Sequence, residues 1–228
     1  EVVVGGASLN KEIEEFLVSI DFPITVGYGT TETAPMITFS DWKDFVPGSC
    51  GTAATRMEVK VASPDPQNIP GEIITRGPNV MLGYYKNEEA TRKVLDEDGW
   101  FHTGDLGTMS ADGHIFINGR IKNMLLGSNG QNVYPEEIEN LLNSMTMVNE
   151  SLVIQDGEKI VGLVYPDYEE AHALDLTEED LHKIMEQNRQ ELNAQLPPFC
   201  KLSTIRLRTE EFEKTPKKSI KRYLYKNA

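Results

Sequence analysis

Within its first 26 residues the chain spells strand, helix, strand, and no other stretch limits the possible fold as tightly. "EVVV" is a short β-branched run, "GGASL" follows, and Leu9, Ile13, Phe16, Leu17 and Ile20 recur at helical spacing before the strand-like "FPITV". Two strands joined by a crossover helix of this length lie parallel. The loops leaving them emerge at the same carboxyl edge of the sheet, where open α/β folds place ligands. "GGA" (Gly5, Gly6, Ala7) and "GYGTTE" (from Gly27 to Glu32) are therefore expected to face one pocket.

Downstream the pattern changes twice. From Gly48 to Arg120 short strand segments such as "EIITRG" and "HIFINGR" alternate with turn signals at Pro70-Gly71 and Asp112-Gly113, one short helix "NEEATRKVL" interrupts them, and loops are expected around "GWFHTGDLG". After Lys122 come a glycine-bearing loop "LGSNGQNVYP", a helix opened by Pro135, and a hairpin turning at Asp156-Gly157. A long helix then begins at a capping-box-like "TEED", and the strand "STIRLRT" and a basic tail complete the chain. The expected fold class is α/β and α+β: a βαβ unit plus a small β-rich subdomain over residues 1–120, then a compact α+β domain over 121–228.

Charge narrows the partners. Twenty-two Lys and Arg stand against 36 Asp and Glu, a formal net charge of -14, so phosphate backbones and anionic headgroups are repelled. Nucleic acid is not an expected partner, and small-molecule substrates are. Oligomeric state is not legible. No apolar run approaches the length of a membrane span, which leaves no integral membrane segment to expect. Two cysteines far apart, Cys50 and Cys200, and four histidines without ligand spacing give neither a disulfide framework nor a zinc site, and suit a reducing cytoplasmic setting.

The chemistry concentrates in "VGYGTTETAP". Glycines let backbone approach a ligand, and backbone amides with the Thr30 and Thr31 hydroxyls are uncharged donors suited to a phosphate. A carboxylate beside a phosphate calls for a hard divalent cation between the two anions, which makes Glu32 a candidate ligand for Mg²⁺. Tyr28 offers a flat face to a base. In "GWFHTGDLG", Asp105 follows Gly104 and can accept from two vicinal hydroxyls of a ribose. A glycine-rich turn with solvated threonines would account for either segment alone, but not for both in order with Gly119-Arg120 behind them.

"GGASL", "GYGTTETAP", "GEIITRGPNVMLGYYKNEEAT", "GWFHTGDLG", "GHIFINGRIKNML" and "NGQNVYPEEIE" together resemble successive core motifs of the adenylate-forming enzymes, over essentially the whole chain. "LLGSNGQNVYPEEIENLL" and "EKTPKKSIKRYLY" are similar to those of bacterial long-chain fatty-acid-CoA ligases. The resemblance implies ATP, Mg²⁺ and CoA as cofactors, a fatty acid as substrate, and acyl-CoA, AMP and pyrophosphate as products. It implies that Gly5, Gly6 and Ala7 lie along the adenine, with Tyr28 stacked on it and Gly29 and Thr30 beside the nucleotide. It further implies Thr31 at the α-phosphate, Glu32 on Mg²⁺, Asp105 and Arg120 on the ribose, Lys122 at the hinge of a mobile C-terminal lid domain, and the Gly130 loop in thioester formation.

Two features depart from the family pattern. The glycine- and threonine-rich phosphate loop belongs ahead of Glu1, so the chain is expected to be the C-terminal portion of a longer polypeptide and inactive alone. Aligned on "IKR", the adenylation lysine falls on Ser219; Lys218 is its nearest neighbour, with Lys217 and Lys221 as alternatives. Two other readings stand beside the CoA ligase: an acyl-adenylate ligase that loads a carrier protein, and a non-catalytic nucleotide-binding homologue.

Overall fold

The computed structural model describes residues 1–6, 9–127, 129–216 and 218–225. β1 (Val2–Val4) and β2 (Ile24–Val26) pair in parallel, Val2 opposite Ile24 and Val4 opposite Val26, with α1 (Lys11–Ser19) as the crossover. Asn10 starts the helix by accepting from the amides of Glu12 and Ile13, two donors that would otherwise lack partners. The apolar stripe of α1 does not form a core, however. Ile13 and Phe16 are 52% and 60% exposed, whereas Glu14 is buried and accepts from the Gly48 amide. A two-stranded sheet is too narrow a platform to cover a helix face, and Val2 and Val3 stay open as well.

β3 (Tyr28–Gly29), β4 (Met36–Phe39) and β5 (Thr52–Ala53) form an antiparallel sheet. β6 (Glu58–Ala62), β7 (Gly71–Arg76), β8 (Phe101–Met109) and β9 (Ile115–Arg120) form a four-stranded antiparallel meander, with α2 (Glu88–Arg92) inserted between β7 and β8. Tyr28, Ile37, Val61, Ile73 and Ile115 pack into one buried cluster that joins these two sheets. The loops expected around "GWFHTGDLG" are instead a strand, because Phe101, His102, Leu106 and Gly107 all find partners on β7. The turn-forming residues between them survive as a bulge: residues 103–105 stand opposite Ile73 alone.

The chain divides into two units, Glu1–Lys122 and Asn123–Ala228. In the second, β10 (Leu125–Leu126) and β11 (Asn132–Val133) form a small ladder ahead of α3 (Pro135–Leu142). β12 (Val148–Asp156) and β13 (Lys159–Pro166) form a hairpin around Gly157, whose φ of 60° suits glycine. α4 (Tyr168–Ala173) and α5 (Glu178–Gln195) follow, the latter opened by reciprocal bonds between Thr177 and Asp180, and β14 (Thr204–Leu207) returns parallel to β13. Ile138, Leu142, Val153, Val164, Met185 and Leu192 are the centre of its core. Leu142→Ala should destabilise this unit by about 2–5 kcal/mol, the usual cost of emptying a fully buried leucine site. Urea unfolding of the chain measures it, and an unchanged midpoint would mean that the site collapses without loss.

Candidate functional site

The bulge in β8 places Asp105 directly opposite Arg120 on β9. Asp105 is only 4% exposed, and a buried carboxylate requires partners. Its Oδ1 lies 2.8 Å from Arg120 Nε, and its Oδ2 accepts from the Tyr28 hydroxyl at 2.7 Å. Burial, reinforced by the neighbouring Asp105 charge, pushes the Tyr28 phenol well above its ordinary range, so it stays a donor. The Asp105 amide is held by Thr103 Oγ1 at 3.0 Å. A carboxylate accepts on both oxygens, with about four lone-pair sites in all, which is the chemistry that a pair of vicinal hydroxyls requires. The Tyr28 ring itself packs with Ile37 and Ile73 and is 9% exposed, which leaves little of its face for a base.

The Gly29–Glu32 corner is laced from a different direction. The Thr30 amide donates to Thr33 Oγ1 at 3.1 Å, Thr33 in turn donates to the Pro35 carbonyl at 2.8 Å, and Thr31 is exposed at the start of the 3-10 turn Thr31–Thr33. A Cβ on Gly29 would come within 1.7 Å of the Pro35 carbonyl oxygen, so only glycine fits there. Segment 79–84 secures the corner: the Met81 amide donates to the Glu32 carbonyl at 2.7 Å, Asn79 Nδ2 to the Met36 carbonyl at 2.7 Å, and the Tyr84 hydroxyl to Glu32 Oε1 at 2.9 Å. Gly5 adjoins the same strand ends, its Cβ position 3.3 Å from the Gly27 carbonyl oxygen, and Gly6 follows at φ 87°. Ala7 lies outside the described residues.

Glu32 is a half-buried hard oxygen donor, and among the described residues no group of three or more His, Cys, Asp or Glu gathers to hold a metal. That donor set fits Mg²⁺, which takes one or two carboxylates and completes its shell with substrate phosphates and water. Tyr84, Asn79 and Glu72 were not legible as site residues. "GYYKNEE" carries an aromatic pair but no spacing that ties it to Glu32, 52 residues away.

The remaining candidates lie elsewhere in the chain. Lys122 is exposed in the 3-10 turn Ile121–Asn123, where the first unit ends. In the second unit Gly130 is exposed at φ 79°, in a loop closed by its amide on the Gly127 carbonyl at 2.8 Å. Lys218 stands at φ 61° in a turn, its amide on the Thr215 carbonyl at 2.8 Å, beneath a bridge between Lys214 and Ile220. Lys214 is paired with Glu150, Lys221 with Glu213 and Arg222 with Glu139; Lys218 makes no ion pair among the described residues. Lys217 lies outside the described residues.

Comparisons with known proteins agree along the chain. Residues 1–85 match the AMP-binding enzyme family and residues 122–227 the AMP-binding enzyme C-terminal domain. The chain belongs to the AMP-binding enzyme superfamily. It is 38% identical over 173 residues to 4-coumarate–CoA ligase 1 of Glycine max, covering 70% of this chain and 58% of that protein. It is 35% identical over 189 residues to a chloroplastic long-chain-fatty-acid acyl-carrier-protein ligase of Arabidopsis thaliana, covering 76% of this chain and 26% of that protein. ATP-bound MatB from Rhodopseudomonas palustris superposes with a TM-score of 0.78 at 27% identity, covering 98% of this chain and 44% of that one. The mixed α/β architecture is thus that of the adenylate-forming enzymes, and the chain spans less than two thirds of the length of each relative.

His102 Nδ1 lies 2.8 Å from Glu72 Oε2 and its Nε2 3.5 Å from Asp96 Oδ2. Glu72 foremost, with Asp96, raises the imidazole above its ordinary value of 6.5. The folded chain therefore holds this proton more tightly than the unfolded chain. The stabilisation is complete below about pH 6.5 and disappears as pH climbs through the raised value. Denaturation midpoints should fall over that window for wild type and flatten for His102→Asn. An equal slope in both would assign the pH dependence to another group.

Proposed function

We propose that the protein carrying this chain activates a carboxylic acid with ATP and passes the acyl group to the thiol of CoA. The observation that carries this reading is the Tyr28–Asp105 hydrogen bond, which brings together two motifs 77 residues apart: the turn suited to phosphate and the carboxylate suited to ribose hydroxyls. In the first step a substrate carboxylate oxygen attacks the α-phosphorus, and the bond to pyrophosphate breaks. In the second, the thiol sulfur attacks the acyl carbon, loses its proton, and AMP leaves with the electron pair of the C–O bond.

The residues divide the work. Gly5 and Gly6, with Ala7, line the adenine. Asp105 and Arg120 hold the ribose hydroxyls, and Tyr28 orients Asp105 through its hydroxyl. Gly29, Thr30 and Thr31 meet the α-phosphate with uncharged donors. Glu32 is the carboxylate for Mg²⁺, which would neutralise charge on the departing pyrophosphate; Tyr84 fixes one of its oxygens. Lys122 is the pivot between residues 1–120 and a mobile lid of 121–228, and the Gly130 loop serves the thioester step. Lys218 is the adenylation lysine in this reading: of its alternatives Lys221 is engaged with Glu213, and Lys217 lies outside the described residues.

A long-chain fatty acid is the substrate that the tail "EKTPKKSIKRYLY" favours. The soybean relative's name favours an aromatic acid, and the Arabidopsis relative's name a carrier-protein thiol in place of CoA. Acid-dependent exchange of pyrophosphate into ATP tests the activity in the intact protein. Lys218→Ala should lower exchange about a hundredfold, the scale of a misplaced reacting group, with Lys221→Ala little changed. The reverse order would move the role to Lys221, and absence of exchange with fatty and aromatic acids alike would favour a nucleotide-binding protein. Asp105→Ala should weaken AMP binding by roughly 1.5–3 kcal/mol, the worth of charged hydrogen bonds. Calorimetric titration measures it, and unchanged affinity would remove the ribose role.

A further inference from the structure

The bulge that carries Asp105 is built around a second carboxylate to which neither the motifs nor the mechanism assigns a role. Glu72 lies on β7 beside the irregularity and uses both oxygens. Oε1 accepts from the Gly104 amide at 3.0 Å, and Oε2 lies 2.8 Å from His102 Nδ1. Between those contacts Thr103 Oγ1 donates to the Ile73 carbonyl at 2.7 Å and accepts the Asp105 amide at 3.0 Å. Every residue from His102 to Gly104 is therefore tied to Glu72 or Ile73. The need for such a tie follows from Gly104, at φ 72°, the residue with the most backbone freedom next to the group whose placement matters most. With the Gly104 amide released, the Thr103–Gly104 peptide loses its tie to β7, and the Asp105 amide keeps only its local bond to Thr103 Oγ1.

The acid is also the side chain that the geometry requires. Its two donors approach different oxygens, and a carboxylate accepts on both, whereas an amide accepts on one. We infer that Glu72 is a positioning residue for nucleotide binding: it fixes the bulge so that the Asp105 carboxylate meets the two vicinal hydroxyls of a ribose. This rests on the ribose reading of Asp105 proposed above.

The test separates the two ideas. The chain is titrated with AMP and with 2′,3′-dideoxy-AMP, which lacks both hydroxyls. Wild type should prefer AMP. Glu72→Ala should reduce that preference about tenfold or more, the scale of a charged hydrogen bond, while leaving the affinity for the dideoxy ligand unchanged. Glu72→Gln, which keeps one acceptor for the Gly104 amide, should restore part of the preference. A merely structural role would weaken both ligands equally, and that result, or a preference intact in Glu72→Ala, overturns the inference. If wild type itself does not distinguish the ligands, the ribose reading fails and this inference with it. Should Glu72→Ala not fold, His102→Ala removes one leg of the same tie and leaves Glu72 in place; a reduced preference supports the inference and an unchanged one overturns it.

Discussion

A carboxylate that is 4% exposed cannot stand alone, and the satisfaction of Asp105 organises much of the first unit. Its partners come from two other strands, Tyr28 on β3 and Arg120 on β9. The hydroxyl of Tyr28 reaches the charge while its ring completes the apolar cluster with Ile37 and Ile73, so one side chain links the core of the β-rich region to the polar site. Arg120 needs no search to find its partner, since strand register places it opposite Asp105. Core packing, register and charge compensation are therefore one constraint met at one residue.

The same constraint explains why the site is built on an irregular strand. A regular β8 would spend the Asp105 amide and carbonyl on the ladder with β7 and give the chain no slack at residues 103–105. Three residues opposite Ile73 supply that slack, and Gly104 accepts the left-handed backbone that the detour requires. The freedom so created is then removed by Glu72 and Thr103. A flexible composition ends in a fixed geometry because the Gly104 amide is caught by Glu72 on β7 and the Asp105 amide by Thr103 within the bulge.

Much of this was legible in the sequence, for identifiable reasons. The parallel pairing of β1 and β2, the hairpin at Gly157 and the Thr177 cap follow from local periodicity and turn chemistry. The fate of the α1 stripe did not follow: spacing reveals that Ile13 and Phe16 share a face, but not whether a surface exists to cover it. "GWFHTGDLG" read as loop because its glycines are turn formers, and the long-range pairing with β7 that makes it a strand leaves no local trace. At the site, Asp105 and Glu32 stood out beside glycines, whereas Glu72 and Tyr84 act across 32 and 52 residues and resemble ordinary sheet and loop positions.

Charge pairing also bears on the tail, where sequence alignment alone left three lysines open. Lys214, Lys221 and Arg222 have acidic partners on β12, in the tail itself and on α3. Arg222, in the 3-10 turn Arg222–Leu224, meets Glu139, a buried acid whose carboxyl is pushed up to about 7 chiefly by burial, and that pairing ties the end of the tail to α3. Ile220, which bridges to Lys214, packs against the cluster of Phe212 and Tyr225. Among the described residues of the turn, Lys218, immediately before Ser219, is exposed and makes no ion pair, in a left-handed conformation that a lysine adopts only when its surroundings impose it. The charges that anchor the tail and the charge at its tip are thus carried by different residues, so under the proposed adenylation role a change at Lys218 leaves the ion pairs of Lys214, Lys221 and Arg222 in place.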